Sequence, residues 1–143
     1  GRFHIYWPTA KQKFFYYTND HDCSDCTSSQ KSDNVTLDND GQTAPGTETI
    51  TIPTDSWKSG TYRYSAHDYT TAGSTGTASS TKFAESGTTV KVYYNGIETT
   101  YNVPNSAGTL WTVFTIDGSS KVVTTVNSMS AVAGTTAGSD SIE

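Results

Sequence analysis

The stretch KVYYNGIETTYNV, residues 91–103, constrains the fold of this chain more than any other part of the sequence. Asn95-Gly96 suits the centre of a type I′ turn, where both residues need positive φ. A turn of this length determines which residues of the two strands lie opposite each other, and side chains alternate between faces. One predicted face carries Val90, Val92, Tyr94, Ile97, Thr99 and Tyr101, and the other carries Thr89, Lys91, Tyr93, Glu98, Thr100 and Asn102. The sequence therefore predicts a β-hairpin with one apolar face.

The rest of the chain also favours strands. Of 143 residues, 33% are hydrophobic and 16% charged, and β-branched and aromatic residues recur in short runs, a mixture poor for helices. Alternating or apolar segments, bounded by turn residues, occur at 3–7, 13–18, 35–37, 48–52, 61–68, 109–116 and 121–126. We therefore predict an all-β fold, an antiparallel β-sandwich of about eight or nine short strands with no substantial helix.

Charge and hydropathy exclude several classes of partner. The formal net charge of −5 argues against binding to nucleic acid or to an anionic membrane surface. No run approaches the roughly 18 apolar residues of a membrane span. The Thr- and Tyr-rich, Lys-poor composition favours an extracellular or cell-surface location. Because the sequence opens at Gly1 with no visible signal peptide, we expect a processed chain or a piece of a longer one.

The strongest chemical candidate is a possible calcium site in the segment Asp38-Asn39-Asp40-Gly41, which is followed by Glu48. Oxygen donors at alternate positions before a glycine could wrap Ca²⁺, which takes about six to eight oxygen ligands. Ordinary turn chemistry explains the same residues. Both interpretations stay open, with Asp38, Asp40 and Glu48 as ligands under the first.

Cys23 and Cys26 are the two cysteines of the chain, and they lie in a polar segment. In an exported protein they would form a small disulfide-closed loop. Zinc is the weaker alternative, because a structural zinc site needs four ligands and no second Cys or His pair follows. The segment Asn34-Val35-Thr36 is a possible N-glycosylation site.

Candidates for catalysis are few. His67 and Asp68 are adjacent in a predicted strand, so their side chains point to opposite faces and cannot form a dyad. No serine lies in a nucleophile elbow. We therefore predict that the chain is not an enzyme.

Aromatic residues offer a possible ligand platform. Trp57 lies in the polar stretch TDSWKSG, and Tyr93 and Tyr6 are weaker candidates. A carbohydrate-binding module exposes such rings in a row. The alternative, which the sequence favours, is that Trp57 packs over a sandwich edge.

Several segments resemble a family of uncharacterised bacterial surface domains, the YfaP-like group. They are GRFHIYW at 1–7, LDNDG and GTETITI within 37–52, GTYRYSAHDY at 60–69, and VKVYYNG and YNVPNSAGTLWTVFTIDG within 90–118. None is a catalytic signature. The resemblance implies an Ig-like β-sandwich over residues 1–130, often one module among several in exported proteins. Residues 131–143 are small and polar, as in a linker or tail.

These observations lead to three hypotheses about function. The first is a non-catalytic structural or adhesive module of an extracellular bacterial surface protein or appendage, acting through protein–protein contacts. The second is a subunit of an extracellular filament. Family members commonly carry an acidic strand before the position of Gly1, and its lack would leave a sheet edge open to strand complementation. The third is a carbohydrate-binding module.

Overall fold

The computed structural model describes residues 2–7, 12–14, 36–37, 49–55, 57, 59–68 and 78–132, with side chains from residue 49 onward. The elements in these ranges are β1 (Arg2–Trp7), β2 (Gln12–Phe14), β3 (Thr36–Leu37), β4 (Ile50–Thr51), β5 (Thr61–His67), α1 (Lys82–Glu85), β6 (Thr89–Tyr94), β7 (Ile97–Asn102), β8 (Leu110–Asp117) and β9 (Val123–Ser130). Every strand pair is antiparallel. Within the described ranges, the prediction of a mostly β, antiparallel fold with almost no helix is confirmed.

The largest sheet has five strands in the order β2-β1-β5-β8-β9. Two further sheets have two strands each, β3-β4 and β6-β7. Within the five-stranded sheet, β1 pairs with β5 over Arg2–Tyr6 on one side and with β2 over Ile5–Trp7 on the other. The start of β1 and the end of β9 lie at the same end of this sheet, because one row across four strands joins Arg2, His67, Leu110 and Ser130.

The core lies on one face of β5 and β8. Its buried members are Tyr62, Ala66, Phe83, Val90, Trp111, Val113, Phe114 and Ile116. Residues from β4, β6 and β7 pack against this cluster, including Ile50, Val92 and Tyr101. Tyr62, Tyr64 and Ala66 share the inner face of β5, as the alternation of residues 61–68 predicts. Burial of large aromatic rings on this face removes apolar surface from water and so stabilises the fold.

The helix α1 was not predicted, because its four residues are too few for a helical hydrophobic period. Thr81 donates a side-chain hydrogen bond to Glu85 Oε1 at 2.7 Å across this single turn. Phe83 is buried edge-on against Trp111, with ring centroids 6.3 Å apart. Tertiary packing of Phe83 therefore stabilises a helix that is too short to form alone.

A β-bulge interrupts the pairing of β8 and β9, where the register shifts between Thr112 and Phe114. On β9, Asn127 has a φ of 48°, a left-handed conformation that asparagine adopts more readily than most residues. Its side-chain oxygen accepts a hydrogen bond from Trp111 Nε1 at 2.8 Å. The bulge thus satisfies the indole N–H of a fully buried tryptophan.

The chain that follows β9 is attached to the end of the sheet by a group of three residues that we name the C-terminal clasp: His67, Thr109 and Val132. The Thr109 hydroxyl donates to the Val132 carbonyl at 2.9 Å and accepts from the Val132 N–H at 2.9 Å. His67 Nε2 lies 3.1 Å from the same carbonyl. His67 and Thr109 are fully buried. Residues 133–143 of the predicted linker lie outside the described residues.

Candidate functional site

The hairpin of β6 and β7 has the predicted register. Its opposed pairs are Thr89 and Asn102, Val90 and Tyr101, Lys91 and Thr100, Val92 and Thr99, Tyr93 and Glu98, and Tyr94 and Ile97. Asn95 and Gly96 have φ values of 52° and 75°, as a type I′ turn requires. The prediction from residues 91–103 is therefore confirmed.

The apolar face of this hairpin is buried at its base and exposed at its tip. Val90 is 5% exposed, and its partner Tyr101 is half-buried with its ring 5.5 Å from that of Phe114. On the same face, Tyr94 is 48% exposed and Ile97 is 66% exposed. The apolar stripe therefore extends past the core beneath it. A rigid turn holds these side chains in water, where they would gain from contact with another molecule.

The opposite face of the hairpin carries Tyr93, which is 70% exposed, beside a pair of opposite charges. Lys91 Nζ lies 3.2 Å from Glu98 Oε1. The pKa of Glu98 is below its ordinary value, mainly because Lys91 donates a hydrogen bond to it and secondly because Tyr93 does. The hydrogen bond to Glu98 raises the pKa of Lys91. Both side chains are therefore charged at neutral pH, although an exposed pair of this kind contributes little to stability.

We name the cluster of Tyr93, Tyr94 and Ile97 the aromatic tip. Its three side chains surround the Asn95-Gly96 turn and are among the most exposed large apolar side chains in the described part of the chain. Tyrosines at such a position provide large contact area, with a hydroxyl that can stay hydrated or bond to a partner. The tip therefore presents a large aromatic and apolar area to solvent, and Tyr93 bonds to Glu98 at its margin. The sequence indicated Tyr93 as an exposed aromatic residue, whereas Tyr94 and Ile97 resembled core residues.

Trp57 is half-buried and lies at the margin of the core. Its ring packs edge-on against Tyr62 with a centroid distance of 4.8 Å, and Lys121 Nζ lies 4.9 Å from the Trp57 ring centroid. A platform for a sugar ring needs an open aromatic face. The exposed-platform interpretation of Trp57 stays a prediction, and these two contacts count against it.

His67 and Asp68 each make a described hydrogen bond to another part of the chain. The described hydrogen bond of His67 Nε2 goes to the Val132 carbonyl, while the Asp68 N–H donates to the Thr109 carbonyl at 2.8 Å. Both hydrogen bonds lie at the same end of the five-stranded sheet and connect it to neighbouring parts of the chain. The prediction of a non-catalytic chain stays a prediction.

Several predicted site residues lie outside the described residues, and these predictions stay open. They are the possible calcium ligands Asp38, Asp40 and Glu48, the cysteines Cys23 and Cys26, and the glycosylation candidate Asn34. Within the described ranges, no group of three or more His, Cys, Asp or Glu side chains could hold a metal ion. In the same ranges, no helix is long and apolar enough to cross a membrane.

Comparison of the chain with protein-family models, with curated proteins and with solved structures found no match. The resemblance to YfaP-like domains therefore stays a prediction from the quoted segments. The interpretation of function depends on the geometry of the hairpin.

Proposed function

We propose that this chain is a non-catalytic structural or adhesive module of an extracellular bacterial surface protein or appendage, and that it acts by contacting other proteins. The observation that carries this proposal is the aromatic tip, where Tyr94 and Ile97 continue an apolar stripe beyond the core. Exposed apolar groups on a rigid support lose little conformational freedom when they bind, which favours a contact function.

In this proposal the sheets form an Ig-like β-sandwich similar to the YfaP-like domains. The five-stranded sheet would be one layer, and β3-β4 with β6-β7 would supply the other. Support comes from the core, where residues of β4, β6 and β7 pack against one face of β5 and β8. An exposed module of this type needs a stable body and a contact surface, and the two-residue turn joins them.

Assembly of a filament by strand complementation has less support. The edge expected beside β1 is covered by β2 along Ile5–Trp7. Among the described strands, β2 and β9 are at the edges of the large sheet. The bulge at Asn127 and the polar side chains of β9 are features that discourage pairing with another strand. The carbohydrate-binding hypothesis also has less support, because the Trp57 ring contacts Tyr62 and Lys121.

The test is binding of labelled, purified chain to bacterial cells that carry the protein, before and after protease treatment of the cell surface. We expect saturable binding that protease abolishes and that the double variant Tyr94→Ser, Ile97→Ser weakens about tenfold or more, a difference of about 1.4 kcal/mol. Val122→Ser is the matched control, because Val122 is 59% exposed but lies outside the hairpin.

The outcomes separate the hypotheses. Equal binding by the tip variant and the wild type, with unchanged melting temperatures, would overturn the proposal. Binding that survives protease treatment but is competed by soluble polysaccharide would favour the carbohydrate-binding alternative.

A further inference from the structure

The outer face of the β6–β7 hairpin points away from the core. Its inner face packs through Val90, Val92 and Tyr101 on the core cluster, so the alternate residues face solvent. Lys91, Tyr93, Glu98 and Thr100 are all exposed. Another molecule can therefore approach this face without displacing any part of the core.

The charges on this face are balanced, although the chain as a whole carries a net charge of −5. Lys91 is the one charged residue of β6, and Glu98 is the one charged residue of β7. An acidic partner would be attracted by Lys91 and repelled by Glu98. A basic partner would be attracted by Glu98 and repelled by Lys91. The surface that complements both charges is one with the same pair in the opposite order.

The strand register shows how a second copy would provide that surface. The pairs Lys91 with Thr100 and Tyr93 with Glu98 form the corners of a rectangle on the outer face. Lys91 and Glu98 occupy one diagonal, and Tyr93 and Thr100 occupy the other. A two-fold axis along the second diagonal brings Lys91 of each copy to Glu98 of the other. It also brings the two Tyr93 rings together near the axis.

We propose that the outer face of the β6–β7 hairpin, with Lys91, Tyr93 and Glu98, binds the same face of a second copy of this chain about a two-fold axis. Such an interface is self-complementary, as isologous contacts are. An aromatic pair would lie at one end of the axis, and one ion pair would lie on each side of the axis. This inference deepens the proposed function and rests on it, since it names one protein partner for the hairpin, but it uses a different face from Tyr94 and Ile97.

The contact is expected to be weak. A face of two short strands buries less area than a standard protein interface, and the net negative charge of each copy opposes association. At physiological salt this repulsion is screened beyond about 8 Å, so the local ion pairs decide the outcome. Association is therefore expected near the upper limit of practical concentrations, and more strongly where many copies are displayed together.

The experiment is sedimentation velocity at concentrations up to about 1 mM, the range of Kd expected for a small interface. We expect reversible dimers of the wild type. Lys91→Glu and Glu98→Lys should each reduce dimerisation at least threefold, since each places like charges opposite each other in a homodimer. The double variant Lys91→Glu, Glu98→Lys should dimerise as the wild type does.

A mixture of the two single variants provides the sharpest result. In a mixed dimer every ion pair joins opposite charges again, so mixing should restore association, although neither variant regains its internal ion pair. Lys82→Glu, at an exposed position on α1, is the control for a charge change elsewhere. Glu98→Lys also makes the net charge less negative. If net charge controlled association, this variant would dimerise more strongly than the wild type, and the proposal would be wrong.

Failure of this inference is distinguishable from failure of the proposed function. A wild type that stays monomeric at the highest concentration overturns self-association, as does a mixture that stays monomeric. If the variant Tyr94→Ser, Ile97→Ser still loses its binding to cells, the contact function stands without self-association.

Discussion

Replacement of Thr109 by valine tests whether the C-terminal clasp stabilises the domain. Valine keeps the shape of threonine but replaces the hydroxyl by a methyl group. The change removes the bond that Thr109 donates to the Val132 carbonyl and the bond that it accepts from the Val132 N–H, both 2.9 Å long. The carbonyl keeps its contact with His67 Nε2 at 3.1 Å, but the N–H loses the described partner.

The expected loss follows from these two bonds. A typical hydrogen bond contributes about 0.5–1.5 kcal/mol, and a buried donor left without a partner costs about 1–3 kcal/mol. Thr109 is fully buried, so both terms apply, while the added methyl group recovers some apolar contact. We therefore expect the free energy of unfolding to fall by about 2–3 kcal/mol in total. At this chain length, 1 kcal/mol shifts the melting temperature by about 3–5 °C, so the variant should melt roughly 6–15 °C lower.

The assay is thermal and urea unfolding, together with hydrogen exchange at the Val132 amide. The amide should be protected in the wild type and exchange much faster in Thr109→Val. Thr109→Ser keeps the hydroxyl and should lose about 1 kcal/mol or less. Thr124→Val is the matched control, because Thr124 is exposed on β9. Two results would refute the reasoning: a Thr109→Val variant that melts within about 1 °C of Thr124→Val, or a Thr109→Ser variant that is as unstable as Thr109→Val.

Three further perturbations test other parts of the fold. Gly96→Ala should destabilise by about 1–2 kcal/mol in urea unfolding, because φ is 75° at a site with open space, and a change below about 0.3 kcal/mol would contradict the turn assignment. Trp111→Phe should cost about 2–3 kcal/mol by cavity formation and by loss of the bond to Asn127, and an unchanged unfolding midpoint would contradict this. The pKa of Asp117 lies below its ordinary 3.8, mainly because the Ser120 N–H donates to the carboxylate, so its contribution to stability is complete above that value and is lost as pH falls through the lower folded pKa. Asp117→Asn should therefore lose less stability than the wild type between pH 5 and pH 2, measured by urea midpoints, and parallel curves would contradict this.

The features that the sequence by itself determined are local. The register of β6 and β7 follows from Asn95-Gly96, since the turn needs positive φ at two adjacent residues. The alternation of side chains then determines which residues share a face. The inner face of β5 follows from period-two alternation. A strand that is apolar on both faces at 109–116 indicated β8, which lies between β5 and β9.

The tertiary structure decided what covers each face. Alternation placed His67 on the outer face of β5, but it is fully buried there and held by a carbonyl that lies 65 positions along the chain. The bulge at Asn127 depends on Trp111, a residue of the neighbouring strand. The helix α1 likewise depends on packing of Phe83. None of these is visible in a local window, because each needs a partner that folding brings from elsewhere.

At the candidate site, too, the sequence determined the direction of the side chains, and the tertiary structure determined their burial. The sequence correctly placed Tyr94 and Ile97 on the apolar face of the hairpin, and that face is usually buried. Alternation defines which way a side chain points, but it carries no information on how far the opposing layer extends. Only the packed structure shows that the core ends at Val92 and that Tyr94 and Ile97 at the turn remain exposed. The pattern that indicated a core strand is therefore exposed at its end, because burial depends on the length of the opposing layer as well as on the sequence.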